Sequence, residues 1–180
     1  MREEHTVMTS DRLRSIIRDI PDFPKPGIVF KDITPVLKHP AAFRFVIQRL
    51  ADHFRPLAPA AIVSMEARGF LFGAALAYEL GCGFVPVRKK GKLPHKTLSC
   101  AYTLEYGVDT LEIHADALKP RDTAIIIDDV LATGGTARAV ADLIARCGAR
   151  TIGLGFLMEL SFLHPRDKLQ GMEICSLITY

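Results

Sequence analysis

The chain has 180 residues, 49% hydrophobic and 24% charged, with a formal net charge of +3. That suits one soluble domain spanning residues 1–180 with a full core, and the charge is too small to argue for nucleic acid. No apolar run is long enough to span a bilayer, and MREEHTVMTSDRLRSII has no apolar signal core, so a cytoplasmic protein without membrane or nucleic-acid partners is expected.

Cys82, Cys100, Cys147 and Cys175 form no C-x-x-C pair and the histidines are scattered, so free thiols and no zinc site are expected. In chain order, Asp11 to Ile20 carries Leu13, Ile16, Ile17 and Ile20 at helical spacing, with Ser10 or Asp11 as cap and Pro21 as terminator. Residues 21–34, PDFPKPGIVFKDIT, are too rich in proline for a regular helix. They form a stiff extended hood, which either packs its aromatics on the core or presents Phe30 to a flat heterocycle. Ala41 to Phe54 is a helix with Phe43, Val46, Ile47, Leu50 and Phe54 on one stripe.

Ala61–Met65 is a buried strand, followed by the loop Glu66-Ala67-Arg68-Gly69-Phe70 and a helix from Leu71 to Leu80 that Gly81 ends. Arg68 is either a bidentate phosphate binder or the partner of Glu66. Phe84–Val87 is a third strand, leading into the basic run Arg88-Lys89-Lys90-Gly91-Lys92, which is either a solvated turn or placed to meet pyrophosphate. Residues 93–113 alternate weakly and turn at Gly107-x-Asp109, as a two-stranded lid with Glu105 and Tyr106 near its tip.

Thr123 to Ile127 is a strand ending in Asp128 and Asp129, followed by Ala132-Thr133-Gly134-Gly135 and a helix from Thr136 to Cys147. On that helix Val140, Leu143, Ile144 and Cys147 face inward, and Arg138, Asp142 and Arg146 form an exposed ladder. Gly134 and Gly135 let backbone approach a ligand, and the helix start offers unpaired N–H groups and partial positive charge to phosphate. The two carboxylates can accept from sugar hydroxyls or hold a divalent cation through water. A Walker loop is excluded because no lysine follows Gly135, and neither Gly153-x-Gly155 nor Gly81-x-Gly83 completes a dinucleotide fingerprint. Thr151–Met158 and Ile174–Thr179 are the last strands, with Glu159-Leu160 and a turn at His164-Pro165 between them.

From Ala61 onward strands and helices alternate, so a mostly parallel twisted α/β sheet flanked by helices is expected. The loops Glu66–Phe70, Arg88–Lys92 and Asp128–Thr136 all follow strand carboxyl ends, where ligands of such sheets bind. Together they suit a sugar carrying more than one phosphate group.

IIIDDVLATGGT resembles the ribose-phosphate loop of the type I phosphoribosyltransferases. PDFPKPGIVFKDITP, EARGF, VRKKGKLPHKT and LEYG narrow the resemblance to the adenine-specific members, across nearly the whole chain. The resemblance implies conversion of adenine and 5-phosphoribosyl 1-diphosphate to AMP and diphosphate by a homodimer, with Mg²⁺ held mainly through the diphosphate and water. It assigns the purine edge to backbone at Val29 and Lys31, and the ring faces to Phe30 and Leu160. Ala132, Thr133, Gly134, Gly135 and Thr136 would hold the 5-phosphate, and Asp128 and Asp129 would face the ribose. Arg68 and Lys89 would meet pyrophosphate, with Arg88 reaching across a dimer interface, while Tyr106 would touch substrate and Glu105 would manage the purine proton. A non-proline cis peptide is implied at Ala67–Arg68. The alternatives are a transferase for another base and a non-catalytic sensor of phosphoribosyl diphosphate or purine. A phosphatase is disfavoured because Asp128-Asp129-Val130 is not an Asp-x-Asp start.

Overall fold

The computed structural model describes residues 7–104 and 107–180. They divide into two compact units, Met1–Gln48 and Arg49–Tyr180.

In the first unit, α1 (Ser10–Ile16) is capped by Thr9, whose hydroxyl accepts from the Arg12 amide at 3.3 Å. The expected helix to Ile20 stops at Ile16, and the chain turns into β1 (Arg18–Pro21), antiparallel to β2 (Val29–Asp32). Pro21 disfavours helical geometry at Ile20, and pairing of Arg18 with Asp32 and Ile20 with Phe30 supplies the backbone partners instead. Asp22 (φ 56°) and Gly27 (φ 87°) make the turns of the hood, and Asp22 Oδ1 accepts from the Gly27 amide at 2.8 Å. The Phe23–Pro24 bond is cis, and the Phe23 and Phe30 rings meet edge to face at 5.2 Å. A short helix, α2 (Thr34–Lys38), follows with Pro35 in its first turn. Helix α3 (Pro40–Phe54) leads into the second unit.

The second unit is a seven-stranded sheet of β3 (Ala61–Met65), β4 (Gly83–Lys89), β5 (Thr97–Leu104), β6 (Gly107–His114), β7 (Thr123–Leu131), β8 (Arg150–Glu159) and β9 (Ile174–Thr179). Their order is β5-β6-β4-β3-β7-β8-β9. From β4 to β9 every neighbouring pair is parallel, and the β5–β6 hairpin joins antiparallel at the edge of β4. Helix α4 (Gly69–Leu80) connects β3 to β4, and α5 (Gly135–Arg146) connects β7 to β8. All five residues of β3 are buried, and Ile125, Ile126 and Ile127 are fully buried, as strands covered on both faces require. A Cβ on Gly155 would lie 2.7 Å from the Phe54 ring and 2.6 Å from Ile127, so only glycine lets α3 close on β8 here.

Several boundaries differ from expectation. Arg88 and Lys89 belong to β4 because Arg88 pairs with Glu112 and Lys89 with Leu111. Gly107 begins β6 and Asp109 lies within that strand, paired with Tyr102. Strand β7 runs through the acid pair to Leu131, because β8 continues beside it as far as Glu159. Arg138 and Asp142 pair at 3.1 Å, but Arg146 leaves that ladder and donates to the Ser99 carbonyl. The non-proline cis peptide is Glu66–Ala67, one bond before the expected position.

Candidate active site

Two adjoining clefts open at the carboxyl ends of β3, β4 and β7. One, of about 420 Å³, is lined by Val130 to Gly134, Ala137 and Phe156. The other, of about 410 Å³, is lined by Glu66, Ala67, Arg68, Lys89, Tyr102, Leu111 and Asp129. Met65, Asp128 and Thr136 line both, so the first acid of the pair stands between a backbone loop and a cationic recess.

The first cleft is built by the end of β7 and the start of α5. Gly134 caps α5 in the left-handed region (φ 76°), which brings the N–H groups of the first helical turn toward the loop. A Cβ on Gly134 would lie 2.4 Å from the Pro165 carbonyl oxygen. Such a helix start, with Thr133 and Thr136 hydroxyls beside it, suits a phosphate monoester.

The cations Arg68 and Lys89 in the second cleft, and Arg88 beside it, each already face a carboxylate. Arg68, next to α4, brings Nε to 2.5 Å from Asp129 Oδ2. Asp129 Oδ2 is buried and accepts no hydrogen bond from the described residues, so beside this ion pair it keeps unused acceptor capacity. Arg88 donates twice to Glu66 Oε2, at 2.9 and 2.7 Å, and the Lys89 amide donates to Glu66 Oε1 at 2.7 Å. Glu66 is thus the partner of Arg88, not of Arg68. Its burial favours the neutral acid, but the Lys89 amide and the Arg88 guanidinium outweigh this and lower the pKa. Lys89 Nζ pairs with Asp109 Oδ2 at 3.0 Å. Beneath them Glu112, buried, accepts from the Gly91 amide at 2.9 Å and from Ser99 Oγ at 3.1 Å, fixing the basic turn to the hairpin.

Asp128 and Asp129 are adjacent, and Asp128 Oδ1 accepts from the Asp129 amide at 2.9 Å. Burial, then the charge of Asp129, hold the Asp128 carboxyl well above its ordinary pKa. Gly69 makes room for it, since a Cβ there would lie 2.7 Å from Asp128 Oδ1. Tyr102 adds a hydroxyl that hydrogen-bonds Thr136; burial and then the Asp109 charge raise its pKa.

Of the expected site residues, Arg68, Lys89, Asp128, Asp129, Ala132, Thr133, Gly134 and Thr136 come together here. Gly135 begins α5, and Leu160, half-buried, is tied to the loop by its amide, which donates to the Leu131 carbonyl at 2.9 Å. Arg88 is turned onto Glu66 and lines neither cleft. Val29, Phe30 and Lys31 lie in β2 of the first unit, where Lys31 Nζ pairs with Asp19 at 2.7 Å. Glu105 and Tyr106 lie outside the described residues. Sequence reasoning missed Tyr102 and Asp109, whose signal is their place opposite one another in an alternating hairpin. It weighed Glu66 only as a counter-ion of Arg68, whereas the carboxylate pairs with Arg88. Among the described residues no three or more His, Cys, Asp or Glu side chains converge as a metal cage, and no helix is long and apolar enough to cross a membrane.

The model of the phosphoribosyl transferase domain matches residues 32–170. Adenine phosphoribosyltransferase of Synechococcus is 56% identical over 168 residues, covering 93% of this chain and 98% of that protein. The crystal structure of adenine phosphoribosyltransferase from Thermoanaerobacter pseudethanolicus superposes with a TM-score of 0.93 at 54% identity, covering 96% of this chain and 100% of that one. The Saccharomyces cerevisiae enzyme, solved with an imino-altritol bisphosphate and adenine, superposes with a TM-score of 0.89 at 38% identity, covering 93% and 97%.

Proposed function

The chain belongs to the adenine phosphoribosyltransferase family, and on that premise we propose how it works. It is a purine-salvage transferase that converts adenine and 5-phosphoribosyl 1-diphosphate to AMP and diphosphate. The observation that carries the site assignment is the pair of clefts sharing Met65, Asp128 and Thr136. One molecule with a monophosphate at one end and a diphosphate at the other spans them, with its ribose over the acid pair.

In this reading the N–H groups at the start of α5, with Thr133 and Thr136, hold the 5-phosphate. Asp128 and Asp129 accept from the ribose 2′- and 3′-hydroxyls. Arg68 and Lys89 take the diphosphate, exchanging their ion pairs with Asp129 and Asp109 for charge-assisted hydrogen bonds to phosphate oxygens. The purine N9 attacks C1′ as the bond to the diphosphate oxygen breaks, and the bonding pair leaves with diphosphate. The sugar carries oxocarbenium character at that moment. Arg68 and Lys89 stabilise the charge on the leaving group, and the N9 proton passes to Glu105. The β5–β6 hairpin acts as the lid that excludes water. Val29, Lys31, Phe30 and Leu160 are assigned to the base by the resemblance of their segments to the adenine-specific family.

The donor set fits a divalent ion held mainly by phosphate oxygens and water, since the acid pair has one oxygen with spare acceptor capacity. Mg²⁺, when bound with the diphosphate, neutralises charge on the leaving group. Leu71, Ala74 and Tyr78 form an apolar exposed face on α4, with Tyr78 89% exposed, which supports a homodimer. The four unpaired thiols support residence in a reducing cytoplasm.

A base panel tests the reading. Purified protein with Mg²⁺ and phosphoribosyl diphosphate is given adenine, hypoxanthine, guanine, xanthine or orotate. AMP from adenine alone is expected. A nucleotide from another base overturns the specificity, and diphosphate binding with no product from any base overturns the catalytic assignment.

A further inference from the structure

Glu159 ends β8 as a buried carboxylate and stands apart from both clefts. Arg166 grips it from two sides, Nε to Oε1 and Nη2 to Oε2, each at 2.8 Å, and Ser176 Oγ donates to Oε2 at 2.8 Å. The hydrogen bonds from Arg166 hold the carboxyl below its ordinary pKa despite its burial. A bidentate pair of this kind fixes geometry as well as charge.

The clasp closes residues 160–166 into a ring, and that ring meets the end of β7 on one side and the phosphate loop on the other. At one end the Leu160 amide donates to the Leu131 carbonyl at 2.9 Å. At the other, the Pro165 carbonyl oxygen stands where a Cβ on Gly134 would come within 2.4 Å, and Pro165 is buried. Gly134 is the left-handed cap whose φ of 76° sets the direction of the first N–H groups of α5.

We propose that Arg166 is a positioning residue for the phosphate loop: by clasping Glu159 it holds Pro165 against Gly134 and fixes the N–H groups that receive the 5-phosphate. This rests on the reading that Ala132–Thr136 is the 5-phosphate site. Arg166 touches no substrate and acts through Pro165 and Gly134. Its removal therefore loosens one anion site and leaves the other, built by Arg68 and Lys89, intact.

The test is calorimetric titration of the full chain with ribose 5-phosphate and, separately, with pyrophosphate plus Mg²⁺, well below the melting temperature. Arg166→Ala is expected to weaken ribose 5-phosphate about tenfold, the size usual for loss of an outer-shell partner, and to leave pyrophosphate affinity within about twofold. Arg166→Lys, which keeps the charge but not the fork, is expected to fall between Arg166→Ala and wild type. Equal loss of both ligands, or no loss of either, overturns the inference. If Arg166→Ala fails to fold, Arg166→Lys carries the same comparison. Wild-type protein that binds no ribose 5-phosphate overturns the phosphate-site reading itself, an outcome distinct from a variant that binds like wild type.

Discussion

Lys89 and Asp109 are joined side chain to side chain at 3.0 Å, although their strands do not pair them. The bond raises the pKa of Lys89 and lowers that of Asp109, as an ion pair must. On the proposed site assignment, diphosphate draws Lys89 away from Asp109. Lys89 is 60% exposed, so the pair is worth only about 0.2–1 kcal/mol. Asp109→Asn is expected to lower KM for phosphoribosyl diphosphate by about two- to fivefold at low salt, with the difference fading as ionic strength rises. Initial rates at two salt concentrations check it.

Lys89→Met removes the cation while keeping most of the aliphatic length. A hydrogen bond to a charged group contributes about 1.5–3 kcal/mol, so kcat/KM for phosphoribosyl diphosphate is expected to fall about 10- to 150-fold. KM for adenine should stay within about twofold, because the change touches only diphosphate binding. Steady-state kinetics with each substrate varied in turn separates the two.

Asp128→Asn should move stability and activity in opposite directions. The folded-state pKa of Asp128 lies above its ordinary 3.8, so ionising it at neutral pH costs the fold. This group favours the native state most at low pH, and that advantage is lost as pH rises through the raised value. Asparagine removes the charge and keeps an oxygen for the Asp129 amide. Thermal melting near pH 7.5 should show stabilisation of about 0.5–2 kcal/mol. Turnover should drop about tenfold or more, since a ribose hydroxyl loses its charged acceptor.

Glu159 has the opposite sign. Its folded pKa is lowered from 4.5, chiefly by Arg166, so its contribution is complete above that value and is lost as pH falls through the lower one. Melting temperature against pH should therefore fall less steeply below pH 4.5 in Glu159→Gln than in wild type, while the variant is the less stable protein at pH 7. Parallel curves for the two proteins would contradict this.

The strands were legible wherever their signal is local. Ala61–Met65 and Ile174–Thr179 are bounded as the sequence indicates, and Gly81 ends α4 in the left-handed region at φ 70°. The errors fall where a partner distant in sequence decides. Ile16, Ile17 and Ile20 suit a helix by spacing, yet Asp32, Lys31 and Phe30 capture the second half as β1. Asp128 to Leu131 look like loop because acids rarely continue a buried strand, but β8 keeps pairing them. The clefts were legible in Asp128–Thr136, where one segment supplies much of their lining. Their counter-ions were not, because Glu66, Asp109 and Glu112 meet their partners across strands.

The pairing of β3 with β7, Ser64 beside Ile127, makes the sheet a ruler. The loop carrying Arg68 and the acid pair hang from neighbouring strands, whose separation of about 4.8 Å belongs to backbone pairing and not to loop length. Added length at the opposite ends of these strands leaves that scale unaltered. Ala58, exposed in the turn before β3, is therefore the place to splice in a tether or a fluorescent label, whereas one residue added after Met65 would move Arg68 off the scale.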